Sequence, residues 1–339
     1  MLPRVSVCIP TYNGAAFLAD TLTSAVTQTF EDYEVLVVDD CSTDASVDIA
    51  DRFANSDSRV RVIRNGQRAG SGAANAKVYL AQARGEWIKP LNQDDLMAPT
   101  CLARMRDASA RGPLVICRHD YLFETDVDPD VRAWYEKVPT LASELPGDFA
   151  DADAVCAAVL HRPAVNFIGP TSAGFIHRDC FTKYGSFDPA FSFFPDLDYW
   201  TRVGSREGIA IPAEPLLTFR VHNASISAAI RRDPRRAFRG ELQQLKRKLQ
   251  FARSPGFDNM RRVAAGLSPA INLEDRLLTS ASEMRWAAID ARYRTRDPWP
   301  LAQWDAFVAG EPEMQKVLRE IDAALPFFVR LRQSVKRRL

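Results

Sequence analysis

Asp94 and Asp95 stand side by side where a short apolar run, Trp87-Ile88-Lys89-Pro90-Leu91, gives way to Asn92 and Gln93. Two adjacent carboxylates repel each other unless water or a cation screens them. Oxygen ligands at an open strand end suit Mg²⁺ or Mn²⁺, which take one or two carboxylates and leave room for phosphate oxygens. That chemistry is a metal–diphosphate site; a solvated turn after a strand uses the same residue types. Two further polar clusters close apolar runs: Pro10-Thr11-Tyr12 after residues 5–9, and Asp39-Asp40 after residues 33–38. A nucleotide fits such a set. Tyr12 can stack on a base, Asp40 can accept a ring N–H, and Asp94 and Asp95 can reach the ribose and the diphosphate metal.

The elements that must hold these clusters follow from periodicity. Residues 5–9, 33–38, 60–63 and 86–91 are compact apolar runs of strand length. Between them lie helical spacings: Phe17, Leu18, Leu22, Ala25 and Val26 within 15–29; Val47, Ile49, Ala50 and Phe53, with Ser42 or Thr43 as the cap; and residues 73–83. Alternating strand and helix give a doubly wound, mostly parallel sheet, an α/β fold. Ligands of such sheets bind outside the carboxyl ends of the strands, so the three clusters converge on one crevice. Pro90 conflicts with this placement, because it removes a ladder donor from an interior strand; the strand ends by Lys89 or carries a bulge. Gly70-Ser71-Gly72-Ala73-Ala74-Asn75 mimics a dinucleotide-binding loop, but it does not follow the first strand and lacks the third glycine. Its glycines read as a loop that approaches a ligand or starts a helix.

The segments VSVCIPTYNGAAFLADTLTSAVTQTF, EVLVVDDCSTDAS, ARGEWIKPLNQDDLM, NFIGPTSAGFIHRDCFTKYGSFDPAFSFFPDLDYWTRVG and FRVHNASIS resemble, in order, the inverting glycosyltransferases of family 2, with the GT-A fold. The resemblance covers about the first two-thirds of the chain. It implies that Pro10, Thr11 and Tyr12 border the base, that Asp40 binds it, and that Asp94 touches the ribose or the metal. It makes Asp95 the main metal ligand, Asp196 the catalytic base, and His222 a neighbour of the metal or diphosphate. Three positions depart from the family pattern. Asn92 replaces an aspartate. Ala74 replaces an arginine, for which Arg68 or Lys77 can substitute. Pro195 replaces a glutamate, which leaves Asp198 as a competitor for the base. The implied reaction moves a sugar from a nucleotide-diphosphate sugar, UDP-linked by preference, to a hydroxyl of a growing glycan or lipid-linked oligosaccharide, with Mn²⁺ or Mg²⁺. Two alternatives are a scaffold that keeps the fold without chemistry, which would show lost carboxylates, and a sugar nucleotidyltransferase. The latter wants a Gly-rich, cationic phosphate loop after the first strand, and Thr11-Tyr12-Asn13-Gly14 is not one.

Composition bounds the rest. The chain has 339 residues, 46% hydrophobic and 26% charged, with a formal net charge of +1, ordinary for a globular protein with no global pull toward nucleic acid. The six cysteines are scattered, without zinc spacing, and fit a reducing compartment. The N-terminal residues do not read as a signal peptide, and no 18 apolar residues run together. These features place the protein in the cytoplasm, with the inner membrane face open to it. The domains divide as 1–227 (a nucleotide-sugar half to about 112, an acceptor half after it) and 228–339. In the middle, Val115-Ile116-Cys117 suggests a strand and residues 124–130 a loop. Trp134 and Tyr135 suit either a core or an acceptor groove; His119, His161 and His177 are structural. From residue 228 Arg231, Arg232, Arg235, Arg236, Arg239, Lys246, Arg247 and Lys248 form a basic run, and helices follow near 261–265, 274–293, 301–308 and 313–325. The basic, amphipathic end, 326–339, can lie on an anionic bilayer or pack on the body or another subunit. No nucleic-acid motif accompanies the charge.

Overall fold

The computed structural model describes residues 2–225, 228, 232 and 234–324. Arg231 of the basic run and the amphipathic end at 326–339 lie outside them. The chain forms two compact units, Met1–Ser225 and Ile226–Leu339.

The first unit is built on an eight-stranded, mostly parallel sheet flanked by helices. Its first half alternates as the apolar runs require: β1 (Val5–Thr11), α1 (Leu18–Val26), β2 (Tyr33–Asp39), α2 (Ser46–Ser56), β3 (Val60–Arg64), α3 (Gly72–Gln82) and β4 (Trp87–Pro90). These four strands lie in the order β3-β2-β1-β4, all parallel. β1 and β2 pair from Val5↔Tyr33 to Thr11↔Asp39, which brings Pro10, Thr11 and Asp39 to one edge. Every residue of β2 is buried, as expected of a central strand covered on both faces. Beyond β4 the sheet continues through β9 (Gly174–His177), β6 (Leu114–Ile116), β10 (Ile209–Ala210) and β8 (Phe149–Ala150), with β9 antiparallel to both neighbours. Gly85 leads into β4 where a Cβ would stand 2.5 Å from the backbone N of Ser6, so no side chain fits.

Pro90 is accommodated without a bulge. Trp87 N donates to Arg4 O at 3.0 Å and Leu91 N to Cys8 O at 2.9 Å, so the odd residues bond to β1. Pro90 therefore aims its missing N–H at the β9 side, and β9 pairs only with Trp87 and Ile88. The absent donor falls where the ladder has already ended.

A second, three-stranded sheet, β5-β11-β7, joins β5 (Leu96–Met97), β7 (Arg118–Phe123) and β11 (Pro215–Val221). It places Arg220 and His222 opposite the loop after β4. The face of β7 carrying His119, Tyr121 and Phe123 is packed under α5 (Pro129–Tyr135), where Tyr135 is buried in a small aromatic cluster and Trp134 is 45% exposed. The two aromatics thus divide between core and surface. α9 (Pro195–Glu207) opens with Pro195 in its first turn, a position whose missing N–H costs a helix nothing.

Two helix starts differ from the sequence expectation. Ser42 and Thr43 do not cap α2, whose N-cap is Ala45. Ser42 Oγ accepts from Asn13 N (2.9 Å), and Thr43 N donates to Asn13 Oδ1 (2.8 Å). These side chains lace the loop after β2 to the loop after β1 instead. Ser71 caps α3, accepting from Ala74 N at 3.1 Å, so the glycine-rich stretch does start a helix.

The second unit is helical: Pro234–Arg253, Asp258–Gly266, Leu273–Thr295, Trp299–Gly310 and Pro312–Ala324. Leu242, Leu245 and Leu249 of the basic run face a core with Leu277, Ala281 and Trp304. Arg247 from that run is only 1% exposed, and Lys246 pairs with Glu311 at 2.6 Å. Among the described residues no helix is long and apolar enough to cross a membrane.

Candidate active site

Each polar cluster at the carboxyl edge is tied to the next. Asp40 N donates to Thr11 O (2.8 Å), joining the ends of β2 and β1. Gln93 joins β1 to the loop after β4 by a reciprocal pair: Tyr12 N donates to Gln93 Oε1 (2.9 Å), and Gln93 Nε2 donates to Tyr12 O (3.2 Å). A Cβ on Gly14 would fall 2.2 Å from Gln93 Oε1, so a side chain there would push Gln93 out of this pair.

On the base side, Tyr12 is half-buried and the Arg68 guanidinium lies 3.7 Å from its ring centroid. Such a stack at an exposed site is worth about 0.5–1 kcal/mol. Thr11 is buried at the strand end, and Pro10 remains half-buried at the edge. Asp40 is buried with its carboxylate occupied: Oδ1 accepts from Ala69 N (2.6 Å) and Asn65 Nδ2 (2.9 Å), Oδ2 from Gly70 N (3.0 Å). Burial works to raise its pKa, but the donors at Ala69, Asn65 and Gly70 outweigh it and hold the carboxyl below its ordinary range. The residue expected to bind the base thus also anchors, through its carboxylate, the loop that carries Arg68. Of the two aspartates it is Asp39 that keeps a buried oxygen, Oδ1, with no hydrogen-bond partner.

On the phosphate side the two aspartates separate. Asp95 is fully buried; Oδ2 accepts from Ser172 Oγ (2.5 Å) and Asn92 Nδ2 (3.1 Å), and Oδ1 from Arg220 N (3.1 Å). Burial, followed by the Asp94 charge, pushes its pKa up to about 8. Asp94 instead stays part-exposed, with Oδ2 2.9 Å from His222 Nε2. The sequence expectation gives a metal to Asp95, Asp94 and His222; here Asp95 is enclosed by Ser172, Asn92 and Arg220, while part-exposed Asp94 contacts the buried His222. A carboxylate oxygen and an imidazole nitrogen this close fit a Mn²⁺ or Mg²⁺ ion that draws its other ligands from diphosphate and water. Among the described residues no three His, Cys, Asp or Glu side chains gather into a complete metal cluster.

Asp196 stands in the first turn of α9, half-buried. Its competitor Asp198 is 2% exposed and paired with Arg202 at 2.5 Å, one helical turn along. α9 is fixed to the loop before β9 by Trp200 Nε1, which donates to Gly169 O at 3.0 Å. The same loop carries Ser172, the partner of Asp95 and of Asn92 N (2.9 Å). Gln93 and Arg220 hold this frame together, and sequence reasoning assigned neither a role. Gln93 lay inside the acidic motif and Arg220 two places before His222, so proximity to named residues was the available signal.

The Glycosyl transferase family 2 model matches residues 6–166. The chain is 30% identical over 231 residues to the uncharacterized protein MT1568 of Mycobacterium tuberculosis, covering 66% of this chain and 68% of that one. It is 38% identical over 98 residues to glycosyltransferase GlyG of Streptococcus pneumoniae, 29% of this chain and 32% of that one. The matched stretch spans less than half the length of the first curated relatives. In three dimensions it is similar to TarS 1–349 of Staphylococcus aureus, solved in complex with UDP, with a TM-score of 0.59 at 14% identity, covering 98% of this chain and 87% of that one. At that identity the likeness shows the fold, which is of the GT-A type.

Proposed function

This chain belongs to glycosyltransferase family 2, and from that premise we propose that it moves a sugar from a nucleotide-diphosphate sugar to an acceptor hydroxyl with inversion. The observation that carries this reading is the linked edge of β1, β2 and β4, where a stacking ring, buried carboxylates and the Asp94–His222 pair share one hydrogen-bonded frame. Tyr12 stacks on the base, with Asp40 beside it at the end of β2 as the expected base-binding residue. UDP is the preferred nucleotide.

Asp94 and His222 hold Mn²⁺ or Mg²⁺ in this reading; the ion supplies charge neutralisation for the departing diphosphate. The chain's own groups do the rest. The reciprocal Gln93–Tyr12 bonds keep the base side and the phosphate side in register. Asp196 accepts the proton of the attacking hydroxyl, help typically worth about 10²–10⁴-fold. The acceptor is a hydroxyl on a growing glycan or a lipid-linked oligosaccharide.

The test has two arms. Thermal stabilisation by UDP, GDP and dTDP, with and without Mn²⁺, should single out one nucleotide whose effect needs the metal and disappears in Asp94→Ala. Asp196→Asn should keep that stabilisation and lose about 10²-fold or more in turnover. Metal-dependent binding that survives in Asp94→Ala, or near wild-type turnover in Asp196→Asn, would remove the corresponding assignment.

A further inference from the structure

Arg220 is 7% exposed, and each face of its guanidinium fork meets a different element. Nε donates to the backbone carbonyl of Asp94 (3.0 Å), Nη1 to Glu124 after β7 (2.6 Å), and Nη2 to Asp20 on α1 (3.1 Å). Its own backbone N donates to Asp95 Oδ1 (3.1 Å). The guanidinium also lies 4.9 Å from the ring centroid of Phe17, and that ring stands 4.6 Å from the imidazole of His222. His222 has no hydrogen bond on its buried Nδ1. An imidazole that ligates a metal is ordinarily oriented by a partner on its other nitrogen. Here the groups that can orient it are Asp94 at Nε2 and the Phe17 ring at its face.

We propose that Arg220 is the positioning residue of the metal end of the site, acting on Asp94 directly and on His222 through Phe17; this rests on reading Asp94 and His222 as the metal pair. The arrangement explains why arginine stands here. Three acceptors lie in three directions, and a planar fork can serve all of them while its face rests on an aromatic ring. A lysine ammonium carries the charge but not the fork, so it cannot hold the Asp94 carbonyl, Glu124 and Asp20 together. Loss of such supporting contacts around metal ligands costs about 10–100-fold in metal affinity.

The experiment measures binding of UDP, GDP and dTDP with and without Mn²⁺, beside uridine, guanosine and thymidine, which have no phosphate to reach the metal. Arg220→Lys should weaken the Mn²⁺-dependent affinity for the responding diphosphate by about 10–100-fold and leave nucleoside affinity as in wild type. Phe17→Leu, which keeps an apolar side chain without the ring, should move the same quantity in the same direction and serves if Arg220→Lys does not fold. Folded variants with wild-type Mn²⁺ dependence would overturn the proposal. So would a loss of nucleoside and diphosphate affinity in step, which marks a general structural role. If no diphosphate responds to Mn²⁺ in the wild type, the metal reading itself falls, and this role falls with it.

Discussion

Asp94 and Asp95 are adjacent in sequence and opposite in circumstance. The pair announces itself in the sequence, but which of the two meets solvent depends on Ser172 and Arg220, which are distant in the chain. Asp95 consequently offers a test of its own. Its folded pKa, about 8, lies above the ordinary 3.8, because burial and then the Asp94 charge oppose ionisation. The folded state keeps a proton that the unfolded chain releases. The stability linked to this group is thus complete below about pH 4, declines as pH rises toward about 8, and is level beyond. Asp95→Asn cannot titrate and keeps the shape. In metal-free protein its melting temperature should rise relative to wild type across that window. The gap should widen steadily with pH, level off near pH 8 and close near pH 4. Thermal melts at a series of pH values in a chelator measure it. A constant gap would show that Asp95 is already ionised throughout.

At the scale of elements, the strands and helices of the first half were legible because buried parallel strands and amphipathic helices impose strong periodicities on residues 5–83. The carboxyl-edge convergence followed from topology alone. The caps were not legible: Ser42 and Thr43 are good capping residues, yet their preference yielded to bonds with Asn13. Nor were the long-range contacts that locate α9. Gly174 on β9 shows how tight that placement is, since a Cβ there would meet the Trp200 ring at 2.3 Å. Trp200 is fully buried and bonded to Gly169, so the ring has nowhere to retreat. Gly174→Ala should therefore displace α9 and cost about 1–3 kcal/mol, read by urea unfolding. Because α9 carries Asp196 and the strands holding the base do not move with it, turnover should fall further than nucleotide affinity. An equal fall in both would mean that Asp196 is not what α9 positions.

Over the whole chain, the sequence changes character near residue 228, and the structure divides into the units Met1–Ser225 and Ile226–Leu339. Helices expected at 274–293 and 301–308 correspond to Leu273–Thr295 and Trp299–Gly310. The basic run was less transparent. Charge alone suggests a solvated face, but a helix repeat of 3.6 turns every residue type around the axis. Arg247 is thereby carried inside beside Leu245 and Leu249. The core it joins centres on Trp304, fully buried against Leu277, Ala281 and the other helices of that unit. Its indole N–H has no hydrogen-bond partner, so the residue contributes volume and apolar surface rather than a polar link. Trp304→Ala leaves a large void that backbone packing closes only in part, at a cost of about 3–5 kcal/mol. A far-UV circular dichroism melt of the full chain should show helix lost at lower temperature. Every residue assigned here to donor binding lies between positions 10 and 222, so Mn²⁺-dependent nucleotide affinity measured below that transition should match wild type. A Trp304→Ala chain that keeps its helix melt would show that this unit draws its stability from its ion pairs rather than from the core around the indole.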